Sequence, residues 1–422
     1  MPNRDVEVVV VGGGAAGVAA AQRLHQASVP CLLVEARPRL GGRAWTVTDG
    51  AGFALDLGCG WLHSADRNPW ARVAEQRGAS IDKTQPPWMR PALAIGFPQE
   101  EQYDFHRALG AFFARMDRAA ARETDVAAAS LLDPDCRWNG LINAVGTYIS
   151  GMDLDRLSVK DFDRYEDSGI NWRVVEGYGA LISAYGANLP VMLDCEVTGI
   201  DHRGKRLSIE TSQGAIAADR VIVTIPSALI AAERLKFTPA LPEKIEAAGS
   251  LPLGLADKLF LSLDGADEFN PDTRAFGRTD REGTGGYHLR PFGRPMIEAY
   301  FGGGLAADLE AADLKGNGEA GFVDFAVAEL TNLFGNGFAG RVKPIRVHSW
   351  GRDPFALGSY SSALPGFADC RATLAEPVDD RLFFAGEACS RHDFSTAHGG
   401  FLTGVAAAER VIEARHHRPP SS

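Results

Sequence analysis

The chain has 422 residues, too many for one ordinary compact core, so two to three domains with room for a large ligand are expected. Hydrophobic residues make up 45% of it and charged residues 23%, which excludes a mainly disordered chain. A formal net charge of -11 argues against nucleic acid or an anionic membrane as a partner, because those surfaces are met by clustered Lys and Arg.

Asn3-Arg4-Asp5 leads straight into Val6–Val11, a run too short for a signal sequence or a spanning helix, so a cytoplasmic location is expected. The six cysteines (Cys31, Cys59, Cys136, Cys195, Cys370, Cys389) show no CxxC pair and no zinc-like histidine spacing, which predicts free thiols and no metal.

Val6–Val11 is a continuous β-branched run, the pattern of a parallel strand buried on both faces. Gly12, Gly14 and Gly17 follow in the GxGxxG spacing, and Ala15 to Leu24, beginning Ala15-Ala16-Gly17, reads as a small-residue helix. Gly12 permits the tight turn, Gly14 lets backbone approach a pyrophosphate, and Gly17 lets helix and strand pack closely. A second strand, Cys31–Val34, ends in Glu35, about twenty residues beyond the turn, where a carboxylate accepts hydrogen bonds from an adenosine ribose and repels a 2′-phosphate. Ala36-Arg37 and then Gly41-Gly42-Arg43 follow, a second close approach with a cation that a nicotinamide site does not need and that suits FAD.

Further on, Leu55–His63 holds Gly58-Cys59-Gly60-Trp61 and the histidine His63. The segment from Gly254 to Leu263 is an alternating strand with Lys258 near its start, and His348 to Tyr360 carries Trp350 and Tyr360. Arg381–Phe384 reads as a buried strand breaking at Gly386-Glu387, and Ala397, just after Thr396, opens a final helix reaching about Arg410.

Together these blocks resemble the flavin-containing amine oxidase family, which includes monoamine oxidases, polyamine oxidases and flavin histone demethylases, and the chain looks like a soluble bacterial-type member. The resemblance implies an α/β architecture, with a discontinuous Rossmann-like FAD domain and an α+β substrate domain. FAD would be held by Gly12, Gly14, Ala15, Ala16, Gly17, Glu35, Ala36, Arg37, Gly41, Gly42 and Arg43. Gly58, Cys59, Gly60 and Trp61 would lie beside the flavin, Val197 would lend its backbone to the adenine, and Gly386, Glu387, Thr396 and Ala397 would reach the ribityl chain and ring. The family places a lysine that holds a water at flavin N5, here Lys258; a tryptophan against the flavin, here Trp350; and an aromatic wall of an amine cage, here Tyr360. Thr396 stands at the second cage wall, and His63 is a substrate-facing candidate against the commoner fate of a satisfied histidine. Monoamine oxidases attach FAD to a cysteine just before the cage tyrosine. That position is Ser359, which implies noncovalent FAD.

The expected FAD domain is residues 1–78, 174–250 and 353–414; the substrate domain is 79–173 and 251–352, helices early and antiparallel sheet later; 415–422 is a flexible tail. The implied reaction is oxidation of a primary or secondary amine to an imine, with dioxygen as electron acceptor, by a monomer or homodimer. Alternatives are a desaturase or dehydrogenase of an isoprenoid or porphyrinogen, and a flavin-binding scaffold. For a polyamine, Glu166 or Asp167 is the candidate for meeting a distal ammonium.

Overall fold

A computed structural model describes residues 5–312 and 319–416. Its larger sheet has eight strands. Asp5–Val11 lies between Cys31–Val34 and Ile216–Val223, parallel to both; Val191–Met192 continues the sheet on one side and Leu382–Phe384 pairs with Ile216–Val223. Val8, Val9 and Val10 have no exposed surface because the strand is covered on both sides. Val9 and Val11 pack with Ile200, Leu207 and Phe384, whereas Val8 and Val10 pack with Val18, Ala20 and Leu24 of helix Ala15–Gln26. That helix lies against the final helix so closely that a Cβ at Gly404 would stand 2.2 Å from the Ala16 carbonyl oxygen. The final helix, Ala397–His416, runs past the expected end near Arg410 because Arg415 pairs with Glu7. The expected tail is therefore helical at Arg415 and His416, and its remainder, 417–422, lies outside the described residues.

The second sheet is antiparallel, in the order Thr273–Phe276, Gly286–Leu289, Met296–Gly302, Ala256–Leu263, Val342–His348. Alternation splits it into two faces. Leu259, Leu261, Ala275, Tyr287, Leu289, Ile297 and Ala299 point to one side and form a core with Phe322, Ala326 and Leu330 of helix Ala320–Phe334. The other face carries two cross-strand rows: Phe276, Gly286, Tyr300, Lys258 and His348, and beside it Arg274, His288, Glu298, Phe260 and Arg346. Helices Gln99–Ala120, Asn139–Ser150 and Val159–Asp163 cover part of that face over Phe97, Phe105, Phe112 and Trp138. All six cysteines are free, and among the described residues no helix is long and apolar enough to cross a membrane.

Candidate active site

A cavity of about 730 Å³ runs from the C-terminal end of Asp5–Val11 to the polar rows of the antiparallel sheet. Every residue assigned from the sequence to cofactor or chemistry lines it except Gly17. A Cβ at Gly17 would stand 1.8 Å from the Gly12 carbonyl oxygen, so its task is to let the helix seat on the turn. Gly12 has φ +103°, and Gly14 is the N-cap of Ala15–Gln26 with no side-chain cap, which leaves the first helical N–H groups facing the cleft. Glu35 accepts from the Gly13 N–H at 2.5 Å and the Arg37 N–H at 2.8 Å. Burial nevertheless pushes its carboxyl up, against the pull of those donors. Arg37 pairs with Asp353 at 2.6 Å, and Arg43 donates to the Ser359 carbonyl at 2.7 Å and pairs with Glu387 at 3.0 Å.

Lys258 Nζ donates to the Asp56 carbonyl at 3.1 Å and meets Glu298 Oε1 at 3.0 Å. Two of its three protons are thus occupied, and Gly60 leaves the rest of the ammonium open, since a Cβ there would stand 3.2 Å away. Burial pushes Glu298 up, but Lys258, His288 and Arg173 together hold it net below the usual carboxylate range, so Glu298 is a carboxylate at neutral pH. Trp350 is 1% exposed; its Nε1 donates to the Leu57 carbonyl at 3.1 Å, and its ring edge abuts Gly58. Tyr360 Oη donates to the Tyr148 carbonyl at 3.1 Å, and Tyr300 Oη lies 2.9 Å from Tyr360 Oη. A phenol has one proton and a carbonyl only accepts, so Tyr300 donates to Tyr360. The Tyr148 and Tyr300 rings meet edge to face, 5.8 Å apart, and complete an aromatic wall.

His63 Nδ1 lies 2.6 Å from Asn171 Oδ1, and burial holds the imidazole neutral by lowering its pKa. Asn171 Nδ2 donates to the Gly169 carbonyl, which fixes the amide so that its oxygen accepts from Nδ1. Thr396 lines the cavity, but its hydroxyl donates to the Asp393 carbonyl at 2.6 Å and accepts from the Gly399 N–H at 2.9 Å, so it caps the final helix as well as bordering the second wall. Asp167 also lines the cavity; Glu166 does not, and faces Arg67 and His392 instead. Reading the sequence missed Glu298, Tyr300 and Tyr148. Their places depend on strand register and helix docking, for which no local spacing is diagnostic.

A family model described as "Flavin containing amine oxidoreductase" matches residues 15–143 and 143–412. The chain belongs to the flavin-containing amine oxidase family. Among similar proteins, Polyamine oxidase 2 of Arabidopsis thaliana is 30% identical over 98% of this chain and 90% of its own length. Polyamine oxidase 3 of Oryza sativa subsp. japonica is 30% identical over 96% and 90%. Lysine-specific histone demethylase 2 of Homo sapiens is 25% identical over 96% of this chain but 53% of its own length. This amine oxidase is an oxidoreductase acting on CH–NH or CH–NH2 donors with noncovalent FAD. Its cleft fits that group: the glycine turn leaves backbone donors open, and Glu35 brings a carboxyl group to the cavity beside that turn. Ser359 is tied by its hydroxyl to both the N–H and the carbonyl of Ala256, at 2.8 and 3.1 Å, and offers no thiol. Cys59 does line the cavity, but burial pushes its thiol up to about 12, too high for a thiolate at neutral pH.

Proposed function

We propose that this amine oxidase acts on a polyamine-type substrate, oxidising a C–N bond at the inner amine to an imine that water then hydrolyses, with dioxygen as electron acceptor. Bound FAD supplies the hydride acceptor and afterwards the electrons that convert dioxygen to hydrogen peroxide. In this reading residues 1–78, 174–250 and 353–414 form a Rossmann-like FAD domain, and 79–173 with 251–352 the substrate domain. The aromatic wall of Tyr148, Tyr300 and Tyr360 orients the amine without holding it protonated, so the nitrogen lone pair is free for hydride loss. Lys258 holds a water with its remaining N–H and places positive charge where negative charge develops during reoxidation.

The observation that carries the polyamine reading is Asp167. It lines the cavity near His63, accepts from the Gly169 N–H at 2.9 Å and the Ser64 hydroxyl at 3.4 Å, and has no cationic partner among the described residues. A distal substrate ammonium supplies that partner, in agreement with the names of the plant relatives. The test is an anaerobic panel of monoamines, linear triamines and amino acids on the yellow holoenzyme, followed by air. Bleaching by triamines and peroxide on reoxidation support the reading; bleaching by monoamines alone overturns it. Replacing Lys258 with Met is expected to slow reduction or reoxidation by at least about tenfold while FAD stays bound, and an unchanged rate would sink the role given to Lys258.

A further inference from the structure

On the row beside the lysine and tyrosine row, at the outer strand of the antiparallel sheet, stands Arg274. It lines the same cavity and is half-buried. Its guanidinium lies over the Phe276 ring at 4.1 Å, and the group that bears on its charge is the neutral phenol of Tyr148. No carboxylate among the described residues lies within ion-pair distance of it. Burial draws its pKa down to about 10, so it remains a cation at neutral pH. A guanidinium removed from bulk water without a counter-charge has lost hydration that no partner replaces. Of the other arginines bordering the cavity, Arg37 and Arg43 each have a carboxylate, and Arg234 is exposed to water.

We propose that Arg274 binds a carboxylate on the substrate, so that the substrate class is a secondary amine with an ammonium on one arm and a carboxylate on the other. This rests on the polyamine-type reading above and deepens it. Arg274 stands three strands from Lys258, about 14 Å across the sheet at about 4.8 Å per strand, with the aromatic wall between them. An arm of several methylenes leaving the amine at that wall therefore ends beside Arg274. There a second ammonium is repelled, whereas a carboxylate pairs with the planar fork through two parallel hydrogen bonds. The opposite arm keeps its ammonium at Asp167.

The test compares a linear triamine bearing one trimethylene and one tetramethylene arm with the probe whose tetramethylene arm ends in a carboxylate instead of an aminomethyl group. Wild-type holoenzyme is expected to reduce its flavin with the carboxylated probe at least tenfold more efficiently in kcat/KM. Arg274→Gln should lose at least tenfold on that probe with little loss on the triamine, and Arg274→Lys should recover part. Calorimetric titration with butyrate reads the cation without turnover, and binding should disappear in Arg274→Gln at unchanged FAD content. If butyrate binds through Arg274 but no amine reduces the flavin, the oxidase reading fails and the carboxylate site stands. Equal loss on both probes, preference for the triamine, or butyrate binding that ignores the substitution overturns the assignment of Arg274.

Discussion

The direction of the phenol chain decides what each hydroxyl is worth. Tyr360 gives its proton to the Tyr148 carbonyl and receives one from Tyr300, so it serves two neighbours while Tyr300 serves one. Tyr360→Phe strands the part-buried Tyr300 hydroxyl and the Tyr148 carbonyl together and is expected to cost about 1–3 kcal/mol. Tyr300→Phe removes a donor but strands no proton, and should cost about 1 kcal/mol or less. Urea unfolding of the two holoenzymes checks the order; equal costs would mean that the chain does not run in this direction. Tyr360 was legible because it closes a recognisable segment with Trp350. Tyr300 and Glu298 were not: each is an ordinary residue of an alternating strand until pairing with Ala256–Leu263 sets them beside Lys258.

The glycine turn is the opposite case, because the chemistry that demands it is local. Strand Asp5–Val11, the turn and helix Ala15–Gln26 are contiguous, so their spacing alone specifies the close approach. An alanine Cβ at Gly17 meets the backbone oxygen of Gly12 at 1.8 Å and Thr224 Oγ1 at 2.8 Å, and a backbone oxygen cannot turn away as a flexible side chain can. Gly17→Ala should therefore push the helix off the strand, cost about 1–3 kcal/mol or more, and lower the flavin absorbance per protein severalfold. Gly340→Ala is the control, since a Cβ there meets nothing within 4 Å. Full FAD content in Gly17→Ala would show that the helix N-terminus can retreat without losing the cofactor. The final helix was foreseen by its opening at Ala397 but not by its length, because the contact that extends it, Arg415 to Glu7, spans the whole chain.

Across the whole molecule, the helical cover and the cofactor cleft are joined by one buried chain of charges. Arg371 has no exposed surface and clasps Asp161 with both arms, at 2.6 and 2.7 Å, tying helix Val159–Asp163 to helix Cys370–Ala375. Its third contact is Ser361 Oγ at 2.9 Å; that hydroxyl donates to Glu387 at 2.7 Å, and Glu387 pairs with Arg43 in the cleft. Arg371→Met leaves Asp161 buried without its cation and should cost about 3–5 kcal/mol, with weaker FAD retention because Glu387 loses the group behind it. Asp161→Asn in the same chain should restore part of the loss, since it removes the stranded charge. Burial pushes Glu387 up, but Arg43, then Ser361 and Arg371, hold it net below the usual carboxylate range. A carboxyl lowered on folding stabilises the protein above its unfolded pKa of about 4.3, and that contribution fades as pH falls through the folded value. The difference in stability between parent and Arg371→Met should therefore be largest at neutral pH and shrink below about pH 4. Thermal melts of both proteins between neutral and acid pH read this directly. A penalty that grows toward acid would mean that the chain from Asp161 to Arg43 does not hold the helical cover to the cleft through charge.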